Sequence, residues 1–336
     1  MRITEIGEFG LIDRVARSLP APGEGVVAGI GDDAAVLRIS DGLYLLTTCD
    51  IQVEGVHFLK DKITPQQLGR KAVAINLSDI ASMGGKPRYL TVSLTLPKET
   101  AVEYVDGLYE GIRHECEACG VDVVGGNMAT SPAHIVVDTF LVGEVEAERL
   151  LLRSGARVGD RVLVTGSPGD SAAGLALLLN PEATCAEVHR RRVLEAHLTP
   201  QARLSEGRAI ALSGLATAMI DVSDGTVSDI GHICEMSHVG ARLWADSLPV
   251  SEATQAVARA TGKEALELAL QGGEDYELLF TAPAERADEL ARLVRRETDT
   301  PVTVIGEIVP AAEGITLLRA DGTRTSLRRG GWDHFR

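Results

Sequence analysis

Asp32, Asp33, Asp50, Asp79, Asp221, Asp224, Glu274 and Asp275 stand where an apolar run ends or a helix begins, in GIGDDAAVL, TTCDIQVEGVHF, NLSDIASMGG, MIDVSDGTVSD and QGGEDYELLF. Carboxylates so placed can converge on one cleft, and there they repel. Two like charges about 4 Å apart cost roughly 1 kcal/mol in water and about 4 at an effective dielectric of 20. Something positive has to sit among them. A hard divalent cation suits oxygen donors: magnesium takes a few carboxylates, several waters and substrate phosphates, whereas zinc wants clustered His and Cys that this chain does not gather. The acidic cleft then reads as a phosphate site reached by way of metal. Taken singly, an Asp beside a Gly is a turn residue or a helix cap. Asp79 differs, because AVAINLSDIASMGG sets Val73, Ile75, Leu77 and Ile80 around it, and a carboxylate in so apolar a helix needs a partner.

Glycine-rich turns GIGDD, VVGGN, TGSPGDSAAG and LQGGEDY offer backbone N–H groups that can cradle phosphates. The chain has no G-x-x-x-x-G-K-[ST], no G-x-G-x-x-G after a strand, and no H-R-D or D-F-G. P-loop enzymes, dinucleotide-binding oxidoreductases and protein kinases thereby lose their main support. Arg153, in LLLRSGARVGD, is either a guanidinium reaching phosphates held between domains or a solvated surface cation. His57 follows the acidic loop and can contact a substrate or act as a base, or be structural. Trp332, in RRGGWDHFR, either stacks on a planar ligand or packs in a core.

The elements that must position these groups follow from pattern. With 336 residues, 45% hydrophobic and 24% charged, the chain is an ordinary globular protein of two domains. Lys and Arg number 33 against 48 Asp and Glu, a formal charge of -15, which argues against a nucleic-acid surface but not against small phosphorylated ligands. No apolar run approaches the roughly 20 residues of a membrane span, and MRITEIGEFGLIDR lacks the apolar stretch of a signal peptide, so no membrane role and a cytoplasmic location are expected. The five cysteines are scattered, as free thiols in a reducing compartment are; Cys116 and Cys119 read as buried helix residues.

Strands are expected at Leu43–Thr48, Tyr89–Leu96, Val121–Val124 and Ile135–Val142, with helices over Thr64–Met83 and Ala101–Cys119. Thr64 can cap the first of these, Pro65 suits its first turn and Gly84-Gly85 stop it. After a boundary near Glu148, strands are expected at Arg161–Thr165, Ala218–Val222, Tyr276–Thr281, Val302–Ile308 and Ile315–Leu318. Helices are expected at Ser171–Leu179, twice between Ala186 and Leu212, and at Thr226–Met236 and Ala284–Glu297. The fold class is α/β (α+β), divided as 1–148 and 149–336.

GEFGLIDR, GIGDDAAVL, VEGVHF, KAVAINLSDIASMGGKP, VVGGN, LLRSGARVGD, GSPGDSAAGL, HLTPQARLSEG, DVSDGTVSDIGHI and GGEDYELLF run through nearly the whole chain. In order and spacing they resemble the thiamine-monophosphate kinase family, of the superfamily that holds aminoimidazole ribonucleotide synthetase and selenophosphate synthetase. The resemblance implies ATP-dependent phosphorylation of thiamine monophosphate to thiamine diphosphate. It implies two α/β domains of the aminoimidazole ribonucleotide synthetase-like fold, the N-terminal one pairing in a homodimer, and a cleft with several Mg2+ ions. Carried over residue by residue, it implies metal positions at Asp33, Thr48, Cys49, Asp50, Asp79, Asn127 and Asp221, with Asp224 at a further one. ATP contacts fall at Tyr109, Gly126, Arg153 and Ser223, and acceptor contacts at His57, Glu274 and Trp332. Two positions depart from the family pattern: Cys49 stands where a hydroxyl is usual and Asn127 where an aspartate is frequent, and both changes weaken a site for a hard cation. The alternatives are a sister activity, ATP-dependent cyclisation of formylglycinamidine ribonucleotide, and a nucleotide-binding regulator that has lost catalysis.

Overall fold

The computed structural model describes residues 2–327 and Phe335; Trp332 lies outside the described residues. The chain opens with α1 (Ile3–Ser18), β1 (Val26–Ala28), β2 (Ala35–Ser40), β3 (Leu43–Val53), α2 (Pro65–Ser82), β4 (Lys86–Leu96), α3 (Val102–Cys119), β5 (Asp122–Thr130) and β6 (Val136–Glu146). It continues with β7 (Arg161–Thr165), α4 (Asp170–Leu179), α5 (Glu187–Leu198), α6 (Leu204–Ser213), β8 (Ala218–Asp221), α7 (Thr226–Ser237) and β9 (Val239–Trp244). The last elements are α8 (Glu252–Thr261), α9 (Ala265–Gln271), β10 (Leu278–Ala282), α10 (Ala284–Thr298), β11 (Val302–Pro310), β12 (Ile315–Leu318) and β13 (Arg324–Ser326).

Two mixed sheets organise them. The first runs β1-β2-β3-β6-β4-β5 and the second β13-β12-β9-β11-β7-β10-β8. Only β4–β5 and β12–β9 pair parallel; the other neighbours are antiparallel. α2 and α3 cover one face of the first sheet, and Leu46, Val92, Val137 and Leu141 are buried beneath them. α2 also reaches the other half: its Ala81 joins a core with Ile210, Met219 and Phe280. A single helix therefore spans the junction.

α2 forms where its caps dictate. The Thr64 hydroxyl accepts from Gln67 N–H at 3.2 Å, the Gln67 side chain accepts from Thr64 N–H at 3.0 Å, and Pro65 fills the first position, a reciprocal capping box. β5 runs to Thr130 rather than ending at Val124, because Gly126 lets it approach β4: a Cβ there would lie 2.1 Å from the Val92 carbonyl. β10 begins at Leu278, two residues later than expected. Tyr276 sits at φ 51, in the left-handed region that no strand residue adopts.

Candidate functional site

α2 supplies the floor of the site. The Thr48 hydroxyl, from β3, donates to Asp79 Oδ2, which gives that carboxylate the partner its apolar helix calls for. One residue earlier, the Ser78 hydroxyl donates to Asp221 Oδ2 at 2.6 Å, tying the end of β8 to the same helix. Asp50 shares the inner face of β3 with Thr48; its register partner Thr139 is fully buried and donates to the Ala72 carbonyl of α2 at 2.9 Å. Asp33 enters from the loop before β2. Its side chain is 0% exposed and Oδ1 accepts from Arg153 Nε at 2.8 Å and from Nη2. Arg153 does not stand free on the surface.

These four carboxylates act on one another. Asp79 is driven well above the usual carboxylate range, first by burial and then by Asp50, Asp221 and Asp33. Asp221 is raised to about 8 by burial and by Asp33. Asp50 is raised to about 6 by burial, with Asp138 and Asp33 adding to the effect and a hydrogen bond to Asp79 opposing it. Asp32, beside Asp33, is raised to about 7, again mainly by burial. Asp33 Oδ2 is buried and has no hydrogen-bond partner, an orphan that a protein normally satisfies. Crowded oxygen donors with an unsatisfied acceptor among them fit a hard divalent cation.

Carboxylates already hold backbone donors in two of the turns read as phosphate cradles, TGSPGDSAAG and GIGDD, and at the start of α7. Asp275 takes the N–H groups of Gly169 and Ser171 at 2.6 and 3.0 Å, at the start of α4. Asp229 Oδ2 takes those of Asp224 and Gly225 at 3.2 and 3.0 Å, at the start of α7, and Asp32 takes that of Asp33 at 3.1 Å. A carboxylate already sits on the positive ends of α4 and α7, so anion binding there falls to cations rather than to backbone.

The remaining residues divide. His57 Nδ1 accepts from Val53 N–H at 3.0 Å, and the ring is an electrostatic neighbour of Glu274. Glu274, whose N–H is held by the Ser223 carbonyl at 2.7 Å, directs Oε1 to Lys71 Nζ at 2.8 Å and Oε2 to His197 Nδ1 at 3.4 Å. Asp224 joins Asp229 and His232 in a second group whose ligand atoms lie within 4.8 Å of one another. Cys49 is exposed. Its register partner is Phe140, on the sheet face opposite Asp50.

Asn127 lies on that outer face as well, in the row Asn127, Ser93, Asp138, Ile51. It is three strand spacings from Ile51, roughly 14 Å. Gly126 is beside it, and Tyr109 lines a separate cavity of about 580 Å³ with Asp122 and Val123. The chain thus brings together Asp33, Thr48, Asp50, Asp79, Arg153 and Asp221, and keeps Tyr109, Gly126 and Asn127 apart from them. Sequence reasoning did not single out Lys71, Ser78, His197 or Asp229. Lys71 alone left a signal, a charge inside an otherwise apolar helix.

Acidification should stabilise the cation-free protein between pH 8 and 6.5. Asp221, Asp32 and Asp50 titrate at about 8, 7 and 6 in the fold against 3.8 unfolded, so the folded state binds protons more tightly. That advantage is complete below the unfolded value and is lost as pH rises through 6 to 8. Below 6.5 His197, lowered by burial to about 4, opposes the trend because the unfolded imidazole takes the proton first, but one imidazole offsets only one of the three carboxyl protons, so stability keeps rising toward about pH 5. Thermal melts with and without Mg2+ check this. Mg2+ should raise the melting temperature most at pH 8 and flatten its pH dependence.

Residues 31–145 match the family model described as AIR synthase related protein, N-terminal domain, and residues 157–318 match the corresponding C-terminal domain. A thiamine-monophosphate kinase of Aquifex aeolicus is 40% identical over 335 residues, 100% of each chain. One of Salmonella typhimurium is 39% identical over 329 residues, 98% of each chain. A solved structure described as AaThiL complexed with AMPPCP and TMP matches with a TM-score of 0.86 at 38% identity, over 99% of each chain.

Proposed function

The chain belongs to the AIR synthase related proteins and, among them, to the thiamine-monophosphate kinases, and from that premise we propose that the acidic cluster on α2 is where ATP meets its acceptor. The activity is ATP-dependent phosphorylation of thiamine monophosphate to thiamine diphosphate. The observation that carries the assignment of the site is the convergence of Asp33, Asp50, Asp79 and Asp221 at the junction of the two halves, with Asp33 Oδ2 unsatisfied.

Both substrates are anions, so alignment and charge compensation carry the reaction. Asp33, Asp50, Asp79 and Asp221 would hold Mg2+, with Thr48, Cys49 and Asn127 as further oxygen donors, Cys49 through its carbonyl, and Asp224 at an outlying position. Bound there, Mg2+ neutralises the polyphosphate and stabilises charge that develops in an in-line transfer. The acceptor is a phosphate monoester whose second ionisation lies near 6, so its attacking oxygen is largely deprotonated at neutral pH. No side chain has to serve as general base. Arg153, beside Asp33, offsets charge on ATP, and Ser223 borders the nucleotide. His57 and Glu274 orient the acceptor; Trp332, assigned the same task, lies outside the described residues.

The protein works as a homodimer through the outer face of the first sheet. Ile51, Tyr89 and Phe140 are 47%, 50% and 41% exposed there, and β5 is exposed along its whole length, a free edge beside an apolar patch. Tyr109, Gly126 and Asn127, remote from the acids of their own protomer, reach the site of the second copy. The division near Glu148 separates the dimer-forming domain from the one that completes the cleft. Five free thiols suit the reducing cytoplasm, and among the described residues no helix is long and apolar enough to cross a membrane.

A coupled assay of ADP release with thiamine monophosphate tests the reading. Acceptor-dependent turnover is expected; ATP binding without it would mark a regulator instead.

A further inference from the structure

Lys71 is a lysine where none is expected: its side chain is 1% exposed, inside α2, and its ammonium lies 2.8 Å from Glu274 Oε1. Glu274 comes from the other half of the molecule and keeps 27% of its side chain exposed toward the cleft. Burial alone would raise Glu274; the Lys71 ammonium, and then His197, hold it below the usual range. On the other side, His197 Nδ1 is 3.4 Å from Glu274 Oε2 and 3.1 Å from the Ser171 hydroxyl.

Stability does not explain this arrangement. A buried ion pair costs so much desolvation that an apolar pair of the same shape is often as stable or more so. Glu274 also holds a left-handed backbone at φ 63, a strained conformation that persists only where the surroundings over-determine it. The neighbouring hydrogen bonds do so. Glu274 N–H goes to Ser223, Tyr276 N–H to Val222 at 2.8 Å, and Glu277 is gripped by Arg203 at 2.7 and 2.6 Å.

Lys71 and Ser78 are seven residues apart on one face of α2, about 10 Å along its axis. Each fastens a different piece of the second half: Lys71 holds Glu274 and Ser78 holds Asp221. We infer that Lys71 is a positioning residue for the acceptor: by fixing Glu274 to the helix that also carries Ser78 and Asp79, it sets the span between the acceptor pocket and the metal cluster. The inference rests on the phosphoryl-transfer reading above. It adds a residue that makes no contact with substrate and acts through Glu274.

The test is steady-state kinetics with thiamine monophosphate and MgATP on wild type, K71M, K71R, E274Q and K71M/E274Q. In K71M the KM for thiamine monophosphate should rise about tenfold while the KM for ATP moves less than about twofold, and K71R should recover part of the loss. Because K71M strands a buried carboxylate, it can fail to fold; the double variant removes that charge. If Lys71 acts through Glu274, K71M/E274Q should match E274Q in acceptor KM within about twofold. An added penalty in the double variant, an unchanged acceptor KM in K71M, or equal rises in both KM values would overturn the assignment. Absence of acceptor-dependent ADP release in wild type would instead overturn the transfer reading on which it rests.

Discussion

Asp79→Asn lowers acceptor-dependent ADP release by about 10³-fold or more and leaves the protein folded. The side chain is isosteric, and its remaining oxygen can still accept the Thr48 hydroxyl that Asp79 Oδ2 accepts. What disappears is one negative charge in a group of four that have to cancel the charge of a cation. Because burial, Asp50, Asp221 and Asp33 all push Asp79 upward, the amide relieves repulsion in the cation-free protein. Its melting temperature at pH 8 should therefore equal or exceed that of wild type, while the stabilisation by Mg2+ shrinks. Loss of turnover together with a gain in metal-free stability is the signature of a charge kept for function. A merely structural Asp79 would give the opposite pair of results, lower stability with near-normal turnover.

That Asp79 has a partner was readable in the sequence, because a carboxylate among Val73, Ile75, Leu77 and Ile80 calls for one, and Thr48 supplies it. Its helix was readable too, since Thr64, Pro65 and Gly84 mark both ends by local chemistry. Lys71 and Ser78 were not, because their partners Glu274 and Asp221 lie 203 and 143 residues further along the chain and no local pattern reports such a contact. The extension of β5 through Gly125, Gly126 and Asn127 was hidden for another reason. Glycine reads as a turn, but at Gly126 it serves close packing against Val92. α1 was missed because it carries a kink at Gly7, with φ 68, and buries little else, so its apolar residues never form one clean stripe. In two of the glycine-rich turns read as phosphate cradles, a carboxylate of the chain itself takes backbone donors. The Gly169 and Ser171 donors meet Asp275 and the Asp33 donor meets Asp32, which residue types alone do not foretell.

Two inactive variants should restore activity to each other. Asp79→Asn disables the cluster of the protomer that carries it. Asn127→Arg, at an exposed position on β5, leaves that protomer's own acids intact but, in the proposed dimer, brings a cation to the place where the second copy would take an oxygen donor. Each homodimer then has two damaged sites. On the proposed dimer, where Asn127, roughly 14 Å across the sheet from Ile51 of its own chain, serves the other chain, a mixed dimer has one site with both lesions and one with neither. After dissociation and random reassociation half the dimers are mixed, so about a quarter of wild-type turnover should return. Recovery is measured by the same ADP-release assay after the variants are mixed and incubated, with each variant alone as the control. If Asn127 served its own protomer, each lesion would disable a different site of every mixed dimer, and no activity would return. The same mixing experiment therefore decides whether the open face of the first sheet is an interface and whether the nucleotide site is shared across it.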